Sequence, residues 1–316
     1  MNITLPQKQI KLYEFKNLFT LFANLYKKNK LPHVVMLTGP QGIGKATFAY
    51  HLINFILSEN EKKSYSFENY EIDPNNSSFN LIQENIHPNF FKLDVDNDSE
   101  IIKIEQIRIL LKFLNKSSYS KNLKIVLIDN AEYLNINSSN ALLKSLEESS
   151  SNTFFFIINN ESHQVIETIK SRAIQFNFHL NLSQKINVYK SICGKINSEY
   201  TDEDVENFLY FETPGNLVKY QYLFEENNLN IFKDIYQCIL FLIDKYKSKK
   251  NNEMLRLLTL LIEKYYNNLS ISNFSEVNTH YINKNKISIL INDMKKFNLD
   301  KKNTFFNISE ILYNEI

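Results

Sequence analysis

Three of the chain's five glycines fall within six residues, at Gly39, Gly42 and Gly44 of Leu37-Thr38-Gly39-Pro40-Gln41-Gly42-Ile43-Gly44-Lys45-Ala46-Thr47. A chain this poor in glycine has concentrated its backbone freedom in one loop. Apolar Val34-Val35-Met36-Leu37 precedes the loop, and residues 46–57 after it read as a helix. In that order of parts, backbone N–H groups wrap an anion, a lysine neutralises outer phosphates, and a helix N-terminus adds its dipole. Gly39, Gly44 and Lys45 meet the G-x-x-x-x-G-K portion of this phosphate-binding loop.

The next position departs from the motif. A Ser or Thr there would place a hydroxyl on Mg²⁺, whereas the methyl group of Ala46 ligates nothing. Thr47 is one place further on and turned about 100° around the helix. A second departure lies in Lys124-Ile125-Val126-Leu127-Ile128-Asp129, which reads as a buried parallel strand ending in an acid at the ligand-facing end. Beside that acid stands Asn130, an amide unable to take the proton that hydrolysis removes from water. Both changes fall on chemistry and spare binding. The candidate nucleotide contacts are therefore Gly39, Pro40, Gln41, Gly42, Ile43, Gly44, Lys45, Ala46, Thr47 and Asp129. Weak ATP–Mg²⁺ binding is compatible with this set, and turnover is not expected.

With 316 residues, 43% of them hydrophobic, the chain can bury two or three units, and a net charge of +1 makes no case for a strongly basic nucleic-acid binder. Cys193 and Cys238 are too far apart for a C-x-x-C site and are expected to be buried free thiols. The six histidines show no metal spacing and are expected as capping or surface groups. Met1–Pro6 lacks a basic, then apolar, leader, and no stretch approaches a membrane span, so a soluble cytoplasmic protein without membrane contact is expected.

Periodicity predicts a helix over residues 9–30, a polar irregular insertion over 58–86 with a short helix at 79–84, a strand over 87–93 and an amphipathic helix over 101–114. Asp94, Asp96, Asp98 and Glu105 match four calcium-loop positions. Ser99 stands where such a loop needs glycine, so these acids read as a solvated turn and helix cap. A helix over 138–148, a strand over 153–158, a short helix over 166–170 and a strand over 174–178 complete a parallel α/β sheet covered on both faces. Beyond Leu180 the signal is helical: three short helices over 183–225, the last two broken by Thr213-Pro214-Gly215-Asn216, then longer ones over 228–316.

Several runs together resemble the bacterial clamp-loader AAA+ family: His33-x-x-Met36-Leu37-Thr38-Gly39-Pro40-x-Gly42-Ile43-Gly44-Lys45-Ala46-Thr47, His87-Pro88, Ile104-x-Gln106-Ile107-Arg108, Ala141-Leu142-Leu143-Lys144-Ser145-Leu146-Glu147-Glu148 and Ser171-Arg172. The resemblance covers residues 1 to about 230 by motif and the remaining helices by architecture. It implies an AAA+ P-loop core over 1–180, a helical lid over 181–227 and a helical collar over 228–316. It also implies a hetero-pentamer with gamma/tau-type and delta-type subunits that loads the sliding clamp on primed DNA within a DNA polymerase holoenzyme. The two motif departures point to the family's noncatalytic stator branch over its ATP-hydrolysing gamma/tau branch.

Ser171-Arg172 is similar to the family's Ser-Arg-Cys motif, with Ala173 in place of the cysteine. That likeness implies that Arg172 reaches a neighbouring subunit's ATP, with Ser171 beside it. Arginine is rare here, limited to Arg108, Arg172 and Arg256, so its use at 172 carries weight. Relatives with four zinc-binding cysteines after the P-loop helix differ from this chain, whose residues 58–86 hold no cysteine, and no zinc is expected. The lid's sensor arginine falls near Val218 and is missing. An active AAA+ ATPase would need a hydroxyl at 46 and a Glu at 130. A small-molecule kinase would need an arginine-rich lid, and residues 183–316 hold Arg256 alone.

Overall fold

The structure is a computed structural model and describes residues 4–95, 101–116, 123–148, 152–160, 165–193, 201–248 and 252–313. Two compact units divide the chain, Met1–Asn197 with Val205–Lys219, and Ser198–Asp204 with Tyr220–Ile316.

The first unit is built on five parallel strands: β1 (Val34–Thr38), β2 (Phe90–Leu93), β3 (Lys124–Ile128), β4 (Thr153–Asn159) and β5 (Ile174–Asn177), in the spatial order β2-β3-β4-β1-β5. Val34 pairs with Phe155 on one side of β1, and Val35 with Ile174 on the other. The inner strands β1, β3 and β4 are buried throughout, which is why they read as unbroken apolar runs. Alternate residues feed opposite faces. Val35, Leu37, Ile125, Leu127, Phe156 and Ile158 meet α1 (Lys16–Lys27), α2 (Lys45–Leu57) and α3 (Ser77–Gln83). Val34, Met36, Val126, Ile128, Phe155 and Ile157 meet α4 (Ile104–Asn115), α5 (Ile136–Glu147) and α6 (Glu167–Lys170). The expected parallel α/β sheet covered on both faces is present.

The helix expected over 9–30 is the shorter α1. Residues before it are extended because the insertion claims them: Leu12 N–H donates to Tyr70 O at 3.0 Å and Ile72 N–H to Ile10 O at 2.8 Å. The insertion is therefore anchored rather than irregular. His51 of α2 is fully buried between Tyr65 OH (3.0 Å) and Gln9 O (3.1 Å), so it is neither a capping nor a surface residue, and burial pulls its pKa down to about 4. His280 is buried as well. Asn54 donates to Asn76 Oδ1, and Asn76 donates to Lys63 O and accepts from Phe79 N–H as the N-cap of α3. Phe19 stacks on Tyr65 at 5.0 Å and meets Phe55, Phe67 and Tyr70 at 5.9–6.1 Å. Aromatic burial and an amide chain hold the segment.

After β5 come α7 (Leu182–Cys193), α8 (Asp202–Leu209) and α9 (Pro214–Glu225), so residues 181–227 are shared between the two units. Cys193 is half-exposed near the end of its helix, contrary to its expected burial, while Cys238 is buried. In the second unit, α10 (Ile235–Ser248), α11 (Asn252–Ser272), α12 (Val277–Phe297) and α13 (Lys301–Tyr313) pack each on the next, and α13 returns to α10 through Tyr246 and Phe305, 5.4 Å apart. No helix among the described residues is long and apolar enough to cross a membrane.

Candidate functional site

The glycine loop bridges the end of β1 and the start of α2. Gly39, Gly42 and Gly44 have φ of +151°, +79° and +109°, conformations that L side chains rarely adopt. Gly44 is the N-cap of α2, Ile43 is buried in the core below the loop, and Ala46 and Thr47 lie in the first helical turn. Lys45 is 3% exposed, and its ammonium donates to the carbonyls of Gly39 (2.6 Å) and Pro40 (2.8 Å) in its own loop.

The loop's outer side is bound by the start of α9. Thr213 Oγ1 donates to Gln41 O at 2.7 Å and Gly215 N–H to Gly42 O at 3.0 Å. A Cβ on Gly42 would lie 2.4 Å from Thr213 Oγ1 and 2.7 Å from Asn216 N, and one on Gly215 would lie 2.6 Å from Gly42 O. Two glycines thus serve a backbone-to-backbone contact that a methyl group would prevent. Sequence reading had marked Thr213-Pro214-Gly215-Asn216 as a helix break, and its contact with the loop was not legible. Val218, near which the resemblance puts a sensor arginine, is buried.

Asp129 follows β3, and its carboxyl pKa is raised to about 6, first by burial and then by Asp94, with a smaller push from Glu132; Lys92 and Lys45 pull the other way. Asn130 sits at φ +64°, donates to Asp94 Oδ1 at 3.2 Å and accepts from Asn160 Nδ2 at 2.5 Å. Asn160 also donates to Glu132 Oε1 at 3.0 Å. Polar groups following three adjacent strands are thus interlocked, and Asn130 uses both ends of its amide in the network. Sequence reading missed Glu132 and Asn160 here, although Asn160 closes an apolar strand as Asp129 does. Asp94 is not a solvated turn residue: it pairs with Lys92 at 2.7 Å and is half-buried. Asp96 and Asp98 lie outside the described residues. Among the described residues no group of three or more His, Cys, Asp or Glu is placed to hold a metal.

Arg172 follows α6 and precedes β5. Its Nε donates to Glu147 Oε1 at 2.7 Å and its Nη2 to the same oxygen, while Nη1 donates to Thr168 O at 2.8 Å. Ser171 is exposed, its hydroxyl donating to Thr168 O at 3.1 Å and accepting from Nη1 at 3.3 Å. Glu147 ends α5, and the sequence marks it only as one residue of the Ala141–Glu148 run. Because β1 and β5 are parallel, with Thr38 opposite Asn177, the glycine loop leaves one end of this strand pair and Arg172 enters at the other. Four residues of strand put them on the order of 13 Å apart. The structure does not bring Arg172 together with the nucleotide contacts of its own chain.

Comparison with known proteins agrees with the motif reading. Residues 15–181 match the family described as DNA polymerase III, delta subunit. The delta' subunit of DNA polymerase III from Pseudomonas aeruginosa is 31% identical over 155 residues, 49% of this chain and 45% of that one. The gamma subunit from Buchnera aphidicola subsp. Schizaphis graminum is 25% identical over 232 residues, 72% of this chain and 61% of that one. The chain spans about half the length of the curated relatives it matches. A crystal structure of a gamma-subunit-related protein from Thermotoga maritima aligns over 93% of this chain and 98% of its own, at 17% identity and a TM-score of 0.46. With a family match over more than half of its length, a parallel P-loop sheet and the clamp-loader motifs in place, the chain belongs to the DNA polymerase III delta subunit family.

Proposed function

We propose that this chain is a noncatalytic, stator-type subunit of the DNA polymerase III clamp loader, acting in the cytoplasm. It assembles with gamma/tau-type and delta-type subunits in a hetero-pentamer that places the sliding clamp on primed DNA. Residues 1–180 serve as the AAA+ core, 181–227 as the lid and 228–316 as the collar that joins the subunits. The observation that carries this reading is the closed glycine loop. Lys45 is bonded to two loop carbonyls, so its ammonium has to leave them to reach a phosphate, and Thr213 and Gly215 hold two further carbonyls that pin the loop to α9. With Ala46 and Asn130 in the two chemical positions, hydrolysis lacks both a metal ligand and a base.

Arg172 is offered outward, to a neighbour's ATP, with Ser171 beside it. Its place at the far end of the strand pair from its own loop supports action in trans. Isothermal titration with ATP–Mg²⁺ and a turnover assay on the isolated chain test the proposal: weak or absent binding and no turnover above background are expected. The match to a gamma subunit favours a second reading, an ATP-hydrolysing subunit. Steady turnover that is lost on Lys45→Ala would establish that reading and overturn the first.

A further inference from the structure

A guanidinium carries five N–H donors in one plane, and the contacts of Arg172 use them unevenly. Nε and Nη2 both donate to Oε1 of Glu147, and Nη1 donates back to Thr168 O. These three bonds occupy the sides of the group that face its own chain. Nη2 keeps one N–H, and the second N–H of Nη1 makes only the bond to Ser171 Oγ at 3.3 Å, the longest contact of the set; with that contact released, the two form the distal edge, a planar fork matched to two oxygens of a phosphate. An arginine side chain 31% exposed would spread over many rotamers unless something held it. Exposed ion pairs add little to stability, so the effect of this one is to be sought in geometry rather than in unfolding.

We propose that Glu147 is the positioning residue of Arg172. Its carboxylate fixes the Nε–Nη2 edge and keeps the distal edge presented to an oxyanion on a neighbouring subunit, of the kind an ATP γ-phosphate supplies. This rests on the reading of Arg172 as a group that acts in trans.

The test uses a loader reconstituted from all its subunits, with only the ATP site facing this chain left competent. Single-turnover hydrolysis and ATP affinity are measured for wild type, Glu147→Gln, Glu147→Ala, Arg172→Ala and the Glu147→Ala/Arg172→Ala double variant. Glu147→Ala is expected to slow hydrolysis about ten-fold and Glu147→Gln about three-fold, as small misplacements of a reacting group do. Assembly, thermal midpoint and ATP affinity stay at wild-type values, and the double variant is no slower than Arg172→Ala alone. A purely structural role would not give that non-additivity. A wild-type rate in Glu147→Ala beside an impaired Arg172→Ala overturns the positioning role and leaves the arginine reading intact, and additive losses in the double variant do the same. A wild-type rate in Arg172→Ala overturns both.

Discussion

The two ends of the β1–β5 strand pair treat their functional groups in opposite ways. At the glycine-loop end, where the nucleotide contacts are proposed, the Lys45 ammonium is 3% exposed and bonded to carbonyls of its own loop. At the other end Arg172 is 31% exposed and braced by Glu147, Thr168 and, at longer range, Ser171. A retained motif is thus a poor guide to a working site unless the partners of its donors and acceptors are traced. Here the end with the fuller motif is the more self-contained of the two.

The sharpest way to break this comparison is Arg172→Ala. If its distal edge meets a neighbour's γ-phosphate, hydrolysis in that neighbour's site should fall on the order of 10³-fold, about 4 kcal/mol, with assembly intact. Arg172→Lys should be nearly as damaging, because an ammonium cannot make the two-pronged contact. Site-resolved ATPase of the reconstituted complex measures both.

At the sealed end, Gly42→Ala should destabilise the protein by roughly 2–3 kcal/mol, read from the urea midpoint, because a Cβ there meets both strain and atoms closer than 3 Å. Gly44→Ala is the control. It has comparable strain at φ +109°, but its added Cβ has Phe15 Cε2 at 3.8 Å as its near contact, and it should be milder. Equal effects would mean that packing against α9 adds nothing.

Asp129 gives an effect of similar size. Its folded pKa, about 6, stands above the ordinary carboxylate value, so the native state binds the extra proton. Stability from this group is fully present below about pH 4 and is lost as pH rises through 6. Asp129→Asn should therefore be more stable than wild type by about 2–3 kcal/mol at pH 7, with the gap closing by pH 4, as followed by thermal unfolding across that range. Thr213→Val is the mildest. Loss of the bond to Gln41 O should cost about 1 kcal/mol. If it also raises ATP affinity in titration, the clamp on the loop opposes nucleotide.

Much of the core was legible because local pattern and burial agree there. Five buried positions run from Lys124 to Ile128 and stop at Asp129, and the β3 bounds follow directly. The residues that decide how each end behaves were not legible, because their partners are distant in the chain. Thr213 meets Gln41, and Arg172 meets Glu147, across separations that no periodicity encodes. The same holds before α1, where helical spacing at Leu12 and Phe15 lost to pairing with Tyr70. Asp94 was misread because an exposed-looking run of acids gives no sign that Lys92 and Asn130 will converge on it.

The strand order has a consequence for how the chain is made. β1, the first strand synthesised, has β4 and β5 as its two neighbours, the last strands to leave the ribosome. β2 and β3 can pair with each other well before that, through a single helical crossover. The apolar run Val34–Leu37 therefore has no sheet partner until β4 has emerged and lacks its second until Asn177 has. Pairings this far apart in sequence fold slowly and leave strand edges open to wrong partners. The early glycine loop and helix α2 acquire their final shape only when the last strand closes beside them, so a nascent chain stopped short of β5 should be retained by chaperones longer than one stopped just beyond it.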